Sequence, residues 1–397
     1  MNQYEALLHL LKNGAAEPYY QNLEALDAYY LSHLEKLTED FVLVFCRFCR
    51  KVRKQQEQGR KGKIAYIHCS FLYTSLMEGK GGYRLDALDE NWYLDKQECA
   101  GSYDGAWAYS FLHEFCCRLN DARKKYAGRI TVYDIDLIKR TEAARYGAYV
   151  EAIARRGMKK AVTCPEFIAM EKEDVVHITI GEYKDQSREI YRYDIRPKDW
   201  EAVQTSLAQQ ERRFTGEVWT ALDFPAMNMD QLELQYVRFA KSTFQQTQLR
   251  YSELWGADFT GARISKSDFF HSVMPGADFS QAEITGSRFH YIDGAQCNLT
   301  RERFIGILPG ISFAQATLRN VNFYHAQLNQ ANFRETRFID CDFMDCCLTG
   351  ADFSRAEFTH CHFTRAQMGA AVFSPDTNLE CLGLDPRQRQ EVIRRGV

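Results

Sequence analysis

Cysteines with metal-ligand spacing are the first residues in this sequence that could carry chemistry. Cys46-Phe-Arg-Cys49 has the two-residue spacing of a zinc or redox pair. A four-ligand zinc site needs a second pair, and the sequence contains no other Cys-x-x-Cys. Residues at positions i and i+3, as Cys46 and Cys49 are, also lie on one face of a helix, so we interpret both as core cysteines. We assign no metal ligand.

Two further motifs could indicate an enzyme. His68-Cys69 contains the residue types of a nucleophilic pair, but such a pair requires convergence in space, which adjacency in sequence does not show. Gly79-Lys80-Gly81-Gly82 lacks the Gly-x-x-x-x-Gly-Lys-Ser/Thr spacing of a phosphate-binding loop and predicts a turn. We therefore assign no catalytic residue and no cofactor, and favour a non-enzymatic function.

A basic stretch follows the first cysteine pair. Between residues 47 and 63 the only acidic residue is Glu57. Such a stretch could contact phosphate or an acidic protein face, although a solvated helix end also explains it. The candidate interaction residues here are Arg47, Arg50, Lys51, Arg53 and Lys54.

Length and composition limit the class of protein. With 397 residues, 45% hydrophobic and 26% charged, the chain predicts two or three globular domains. It has no apolar run long enough for a membrane span. The start lacks the features of a signal peptide, so we expect a cytoplasmic protein with reduced thiols. A net charge of −3 gives no reason to expect direct nucleic-acid binding.

A repeat of five residues dominates the C-terminal part. Every fifth residue from Phe224 to Phe289 is large and apolar, and the same holds from Phe313 to Phe373, one residue out of phase. The residue two places earlier is usually small. The small residues in the second run include Ala316, Ala326, Ala331, Thr336, Cys341, Cys346, Ala351, Ala356, Cys361, Ala366 and Ala371.

A period of five fits neither an α-helix nor a simple strand. It predicts a chain that turns a corner every five residues, so that four sides close a square coil. The large residue and the small residue then both point inward, and the polar residues between them face water. Roughly seven such coils, stacked at about 4.8 Å, make a rod of about 30 Å.

These residues resemble the pentapeptide-repeat family. Its consensus of Ala, Asp or Asn, then Leu or Phe is matched at Ala257-Asp258-Phe259, Ala277-Asp278-Phe279, Ala331-Asn332-Phe333 and Ala351-Asp352-Phe353. The resemblance implies an all-β right-handed quadrilateral β-helix, or solenoid. It covers about 150 residues, under half of the chain, and says little about function.

The repeat has one interruption and a distinct end. The phase changes between residues 290 and 312, where Leu299 and Phe304 keep the old phase and Leu308-Pro309-Gly310 predicts a turn. This break is a tolerated insertion or a functional loop of the kind found in quinolone-resistance members of the family. Asp385-Pro386 predicts a short C-terminal capping helix that ends near Val392-Ile393.

The N-terminal part predicts a mixed α+β domain of no family that we identify. Apolar faces indicate separate helices at residues 4–11, 23–34 and 41–52, the last begun by Thr38. Residues 64–73 predict a buried strand, and alternation around Lys184-Asp185-Gln186 predicts a hairpin. The expected domains are 1–215, the β-helix 216–373, and a cap 374–397.

Three functions are compatible with this organisation. The leading hypothesis is a non-catalytic interaction or scaffold protein that presents a rigid β-helix surface to a protein partner, with a homodimer as a further option. By resemblance to quinolone-resistance proteins, the alternative is a DNA-mimicking regulator or protector of type II topoisomerase. Its acidic candidates are Asp340, Asp342, Asp345 and Asp352. The third is an enzyme with a site in the N-terminal domain.

Overall fold

The computed structural model describes residues 1–209, 211–297, 307–380 and 382–395. Contacts divide the chain into two compact units, one formed by Met1–Arg196 and one that begins at Pro197. The expected domain boundaries at 215/216 and 373/374 stay predictions. Within the described ranges, no helix is both long enough and apolar enough to cross a membrane.

The first unit combines helices with one sheet and confirms the predicted α+β class. Its helices are α1 (Gln3–Leu10), α2 (Ala16–Glu57), α3 (Tyr73–Met77), α4 (Ala106–Ala122), α5 (Val132–Ala161) and α6 (Pro165–Ala169). Its strands are β1 (Ile64–Phe71), β2 (Gly82–Leu88), β3 (Ala100–Asp104), β4 (Lys172–Glu182) and β5 (Ser187–Asp194). A π-helical turn, Leu11–Ala15, and two 3-10 turns, Trp92–Leu94 and Arg123–Tyr126, complete it.

Helix α2 is longer than the sequence predicts. The apolar faces at 23–34 and 41–52 lie on one continuous helix of 42 residues, so the prediction of separate helices is wrong. Thr38 does not begin a helix: its hydroxyl donates to the Leu34 carbonyl at 2.7 Å, four residues earlier. A threonine can satisfy its hydroxyl in this way inside a helix, and the pattern of a helix start is then misleading.

The sheet of the first unit has the order β3-β2-β1-β4-β5. Strand β1 pairs parallel with β4 and antiparallel with β2, and the remaining pairs are antiparallel. Ile67, Cys69 and Phe71 of β1 are buried, and the Phe71 ring stacks on Tyr109 of α4 at 4.7 Å. The predicted strand at 64–73 and the hairpin formed by β4 and β5 are both confirmed.

The second unit is the predicted square coil. Along one side, a parallel sheet of seven strands joins successive coils. In chain order the strands of the unit are β6 (Asp223–Phe224), β7 (Thr243–Gln245), β8 (Arg263–Ser265), β9 (Glu283–Thr285), β10 (Thr317–Arg319), β11 (Arg337–Ile339), β12 (Asp352–Phe353), β13 (Glu357–Thr359), β14 (Val372–Phe373) and β15 (Ile393–Arg394). Phe244 pairs with Ile264, and Ile264 with Ile284, which is one coil per twenty residues.

The interior of the coil is filled by the two inward positions of the repeat. The large residues are buried and stack between coils, as Phe333 does on Phe353 at 4.8 Å. Small polar residues also join coils: the Ser252 hydroxyl donates to the Met229 carbonyl at 3.0 Å. A buried hydroxyl is thereby satisfied, which a purely steric interpretation of the small position does not predict.

One coil is longer than the others. Strand partners are normally 20 residues apart, as Arg263 and Glu283 are. Glu283 and its next partner, Thr317, are 34 residues apart, so the coil between them contains 14 additional residues. The Cys297 and Leu308 backbones pair antiparallel at its base. This lies within the predicted break at 290–312. Leu299 and Phe304, which were expected to keep the old phase, lie outside the described residues.

Short helices cover both ends of the coil. Helix α7 (Trp200–Ala208) places the Trp200 ring 5.2 Å from Phe224. Helix α8 (Pro386–Glu391) confirms the predicted C-terminal helix, and its Gln388 amide donates to the carbonyls of Phe363 and Ala366. The helix ends at Glu391 with Val392 as its C-cap, which confirms the predicted end near Val392-Ile393, and Ile393 then begins β15, which pairs with β14.

Candidate interaction surface on the β-helix

The corners of the coil hold their side chains in a fixed direction. The residue two places after each large inward residue often has a positive φ, near +57° at Tyr251 and +55° at His271. This left-handed conformation costs an ordinary L-residue about 1–2 kcal/mol. Because successive coils are in register, residues at equivalent corners lie directly above one another.

One corner forms a continuous column of rings that we call the aromatic stripe. It contains one corner residue from each of four successive coils and the residues that precede three of them. Its members are Tyr251, Phe270, His271, His290, Tyr291, Tyr324 and His325.

The corner rings of the stripe are stacked. The centroids of Tyr251 and His271 are 5.5 Å apart with planes 8° from parallel. His271 and Tyr291 follow at 5.2 Å and 21°, and Tyr291 and His325 at 5.1 Å and 15°. The preceding residues pack against them edge-on, as Phe270 does against His271 at 4.4 Å. The result is an ordered row of rings about 15 Å long.

The stripe is accessible. Tyr251 is 53% exposed and Tyr291 is 39% exposed, whereas the inward residues of the same coils are fully buried. Burial lowers the pKa of His290, whose Nδ1 is buried and has no hydrogen-bond partner among the described residues. A neutral imidazole and the flanking rings make the middle of the stripe largely apolar.

Ion pairs close both ends of the stripe. At one end the Arg250 guanidinium donates to Asp230 at 2.6 Å. At the other end Arg365 donates to Asp345 at 2.6 Å and holds the pKa of that carboxyl below its usual range. The His325 ring lies 3.7 Å from the same carboxylate. The stripe is therefore an apolar strip between charged ends.

Two family models match this part of the chain. The model described as Pentapeptide repeats (8 copies) matches residues 228–265, and the model described as Pentapeptide repeat region matches residues 316–384. The C-terminal half is a pentapeptide-repeat solenoid. No curated protein matches the chain.

Several solved structures show a weak likeness to the chain. HetL from the cyanobacterium Nostoc sp. strain PCC 7120, a protein involved in regulating heterocyst differentiation, is 17% identical over 46% of this chain and 99% of HetL, with a TM-score of 0.15. QnrB1, a plasmid-mediated fluoroquinolone resistance protein, is 17% identical over 44% of this chain and 96% of QnrB1, with a TM-score of 0.18. Rfr23 from the cyanobacterium Cyanothece 51142 is 15% identical over 42% of this chain and 94% of Rfr23, with a TM-score of 0.13. The assignment of the solenoid rests on the family models and on the coil itself.

The four acidic candidates do not lie on one side of the solenoid. Asp340, Asp342 and Asp345 follow one side and its two corners. Asp352 is ten residues beyond Asp342, half of a twenty-residue coil, and therefore lies on the opposite side.

Arginine or histidine side chains lie beside three of these carboxylates. Asp345 is paired with Arg365 as above. The Asp340 carboxylate lies 3.2 Å from the His360 ring, and Asp352 lies 3.8 Å from the Arg334 guanidinium. Arginine therefore partly neutralises the charges of Asp345 and Asp352.

The basic candidates lie on the C-terminal third of α2 in the first unit. Arg47, Arg50, Lys51, Arg53 and Lys54 are all exposed. Arg50 pairs with Glu166, and Arg53 pairs with Glu57 at 3.0 Å. The Lys51 ammonium donates to the Ala100 carbonyl. Intramolecular partners thus engage three of the five cations.

Other residues considered from the sequence have structural positions. His68 and Cys69 are adjacent on β1 and point to opposite faces of the sheet, so they cannot form a nucleophilic pair. Cys341, Cys346 and Cys361 occupy the small inward position of the solenoid and are buried.

The aromatic stripe is not among the sequence predictions, although its spacing is visible in the sequence. Tyr251, His271 and Tyr291 are spaced by twenty residues, one coil apart. The five-residue period predicts only that these residues face outward, whereas the twenty-residue period of the coil also predicts that they form a column.

Proposed function

We propose that this protein is a non-catalytic interaction scaffold, and that the solenoid presents the aromatic stripe to a protein partner. The observation that carries the proposal is the accessible stack of rings at one corner of four successive coils. A second, charged contact through the basic end of α2 is compatible with this function.

Rigidity supports this proposal. The stripe residues belong to corners whose backbone hydrogen bonds join adjacent coils, such as Tyr251 N–H to the Phe270 carbonyl at 2.9 Å and Tyr291 N–H to the Tyr324 carbonyl at 2.9 Å. A side chain held in place before binding loses little conformational entropy when a partner is bound.

The chemistry of the stripe also suits a protein partner. Tyrosine offers a large apolar surface and a hydroxyl, and is enriched among the residues that dominate binding energy at protein interfaces. Arg250 and Asp345 lie at the two ends of the stripe. A protein interface typically has an apolar centre surrounded by a polar rim, and these charged residues would belong to that rim. We infer a partner segment with apolar side chains that lies along the solenoid axis.

The alternatives rank behind this function. A DNA mimic needs a continuous acidic face, and Asp352 lies on the opposite side from Asp342. An enzyme needs convergent polar groups in a pocket. The cavity of about 220 Å³ in the first unit is lined mainly by apolar and aromatic side chains, and burial raises the pKa of its Tyr19 hydroxyl well above the range useful for acid-base catalysis.

The test compares two matched double variants of the full chain. Tyr251→Ala with Tyr291→Ala removes two stripe rings. Gln281→Ala with Gln315→Ala removes a contacting pair of side chains at another left-handed corner, where the Gln281 amide donates to Gln315 at 3.1 Å. Each tagged variant is used to capture proteins from the native cell, and any captured protein is then purified and its affinity measured.

We expect the tyrosine variant to bind the partner at least about 30-fold more weakly, which corresponds to a loss of about 1 kcal/mol at each of the two tyrosines. The glutamine variant should bind like the parent protein. If both variants retain the partner, the stripe is not the interface. If neither the parent nor the variants bind any protein directly, the scaffold function is wrong.

A further inference from the structure

Three side chains of the types that bind zinc meet beside α2 in the first unit. Cys46 Sγ, Cys164 Sγ and a carboxylate oxygen of Glu166 all lie within 4.8 Å of one another, and all three residues are partly exposed. We propose that these three residues form a site for a zinc-class divalent cation. The site is independent of the solenoid and of the aromatic stripe.

The distances suit a tetrahedral ion. Zinc binds cysteine sulfur at about 2.3 Å and carboxylate oxygen at about 2.0–2.2 Å, so two thiolates on one tetrahedral ion are about 3.8 Å apart. Donor atoms within 4.8 Å of one another therefore need to shift by about 1 Å at most. Such shifts require side-chain rotation and no movement of the helices.

The backbone around the site is held in place. Cys46 lies within α2, and the neighbouring Phe45 ring packs on Phe167 of α6 at 6.1 Å. Cys164 is the N-terminal capping residue of α6. The Lys172 ammonium donates to three carbonyls at the end of α6, including that of Phe167 at 2.9 Å. Helix α6 is therefore held against α2 by the Phe45–Phe167 contact and against β4 by Lys172.

Glu166 can accept a cation while it keeps its hydrogen bond to Arg50. Arg50 donates to Oε1 of the carboxylate, and an ionised carboxylate has about four lone-pair sites in all. A ligating carboxylate is commonly oriented by such a hydrogen bond. Cys49, one helical turn from Cys46, is fully buried and lies outside the group of three. The fourth position of a tetrahedral ion is thus left to water, as in a zinc site with three protein ligands.

This site changes the interpretation of the first cysteine pair. From the sequence, the absence of a second Cys-x-x-Cys predicts that Cys46 and Cys49 are core thiols. The missing ligands come instead from one distant segment, Cys164-Pro165-Glu166, which has no zinc spacing of its own.

The experiment uses the purified, chelator-treated full chain and adds Co²⁺ or Zn²⁺ alone. Cobalt reports thiolate ligation by a charge-transfer absorption band, and competition by zinc gives the affinity. Cys46→Ser, Cys164→Ser and Glu166→Gln alter the ligands. Serine at 164 can still cap α6, since its hydroxyl can accept the Phe167 N–H as Cys164 Sγ does at 3.4 Å. Cys347→Ser, a partly exposed thiol of the solenoid, is the matched control.

We expect one ion per chain and a thiolate band. Each serine variant at the site should lose at least about 100-fold in affinity, because loss of an outer hydrogen-bonding partner alone costs about 10–100-fold. Glu166→Gln should keep the band and bind more weakly, and Cys347→Ser should match the parent.

Two results would contradict the proposed site. One is the absence of a cobalt–thiolate absorption band in the parent protein, and the other is a band of undiminished strength in the Cys46→Ser and Cys164→Ser double variant. Circular dichroism on each variant identifies loss of fold. If a serine variant unfolds, Glu166→Gln decides, and affinity equal to that of the parent counts against the proposal.

Discussion

Replacing Phe333 by alanine tests whether the inward residues of the repeat hold the solenoid together. The Phe333 side chain is fully buried. Its ring stacks on Phe313 at 5.4 Å and on Phe353 at 4.8 Å, with planes within 10° of parallel. It also meets Phe338 edge-on at 5.5 Å. Alanine at this position removes contacts with the coil on either side and leaves a cavity in the middle of the rod.

The expected cost follows from this environment. Burial of a phenylalanine in a packed core makes its replacement by alanine cost about 3–5 kcal/mol. We expect the upper part of that range, because each stacked ring pair adds about 0.5–1.5 kcal/mol beyond burial. For a unit of this size, about 4 kcal/mol corresponds to a fall of about 8–16 °C in the melting temperature of the solenoid. Phe333→Asp should be worse, since an unpaired charge would be buried.

The assay is thermal unfolding of the full chain followed by circular dichroism, with the solenoid transition separated from that of the first unit. The control is Arg334→Ala at the next residue, whose side chain is 47% exposed and should change stability little. If Phe333→Ala melts within about 2 °C of the parent protein, the large residues do not carry the stability of the coil, and the argument from burial fails.

Three further predictions concern single positions. Lys61→Ala should destabilise the first unit by about 3–5 kcal/mol in urea unfolding, because Lys61 and Asp95 form an ion pair with side chains 0% and 1% exposed. Gly310→Ala should lower the free energy of unfolding by about 1–3 kcal/mol, because the added Cβ would lie 2.3 Å from a backbone oxygen of the next coil. At the control position, Gly369, the atom nearest to an added Cβ is 3.8 Å away, so Gly369→Ala should melt like the parent protein. Burial lowers the pKa of His290, so the unfolded chain binds a proton at this residue more readily than the folded chain does. The free energy of unfolding should therefore decrease as the pH falls from the unfolded pKa near 6.5 through the folded pKa. Between pH 7 and pH 5 this decrease should be smaller in His290→Gln than in the parent protein.

The solenoid could be predicted from the sequence because its geometry is local. A period of five determines which residues point inward, and every coil repeats the same arrangement. Residues such as Phe244 and Ile264 therefore reveal the core, the coil and the capping requirement without knowledge of distant contacts.

The first unit was only partly predictable, for a related reason. Strand β1 and the hairpin of β4 and β5 have strong alternation, but β2 and β3 were not predicted. Strand β3 is short and contains Gly101 and Asp104, which are uncommon in strands. These two strands are stabilised by pairing with β1 and with each other, and that pairing is absent from a local pattern.

What the sequence alone determined is the repeat, the inward residues and the mixed class of the N-terminal part. Only the tertiary structure stacked His325 on Tyr291 across the longer coil and brought Cys164 and Glu166 to Cys46. The physical reason is that a local period is set by backbone conformation within a few residues. Proximity between distant residues depends instead on how many residues close each coil and on how helices pack, and these are settled only when the whole chain is folded.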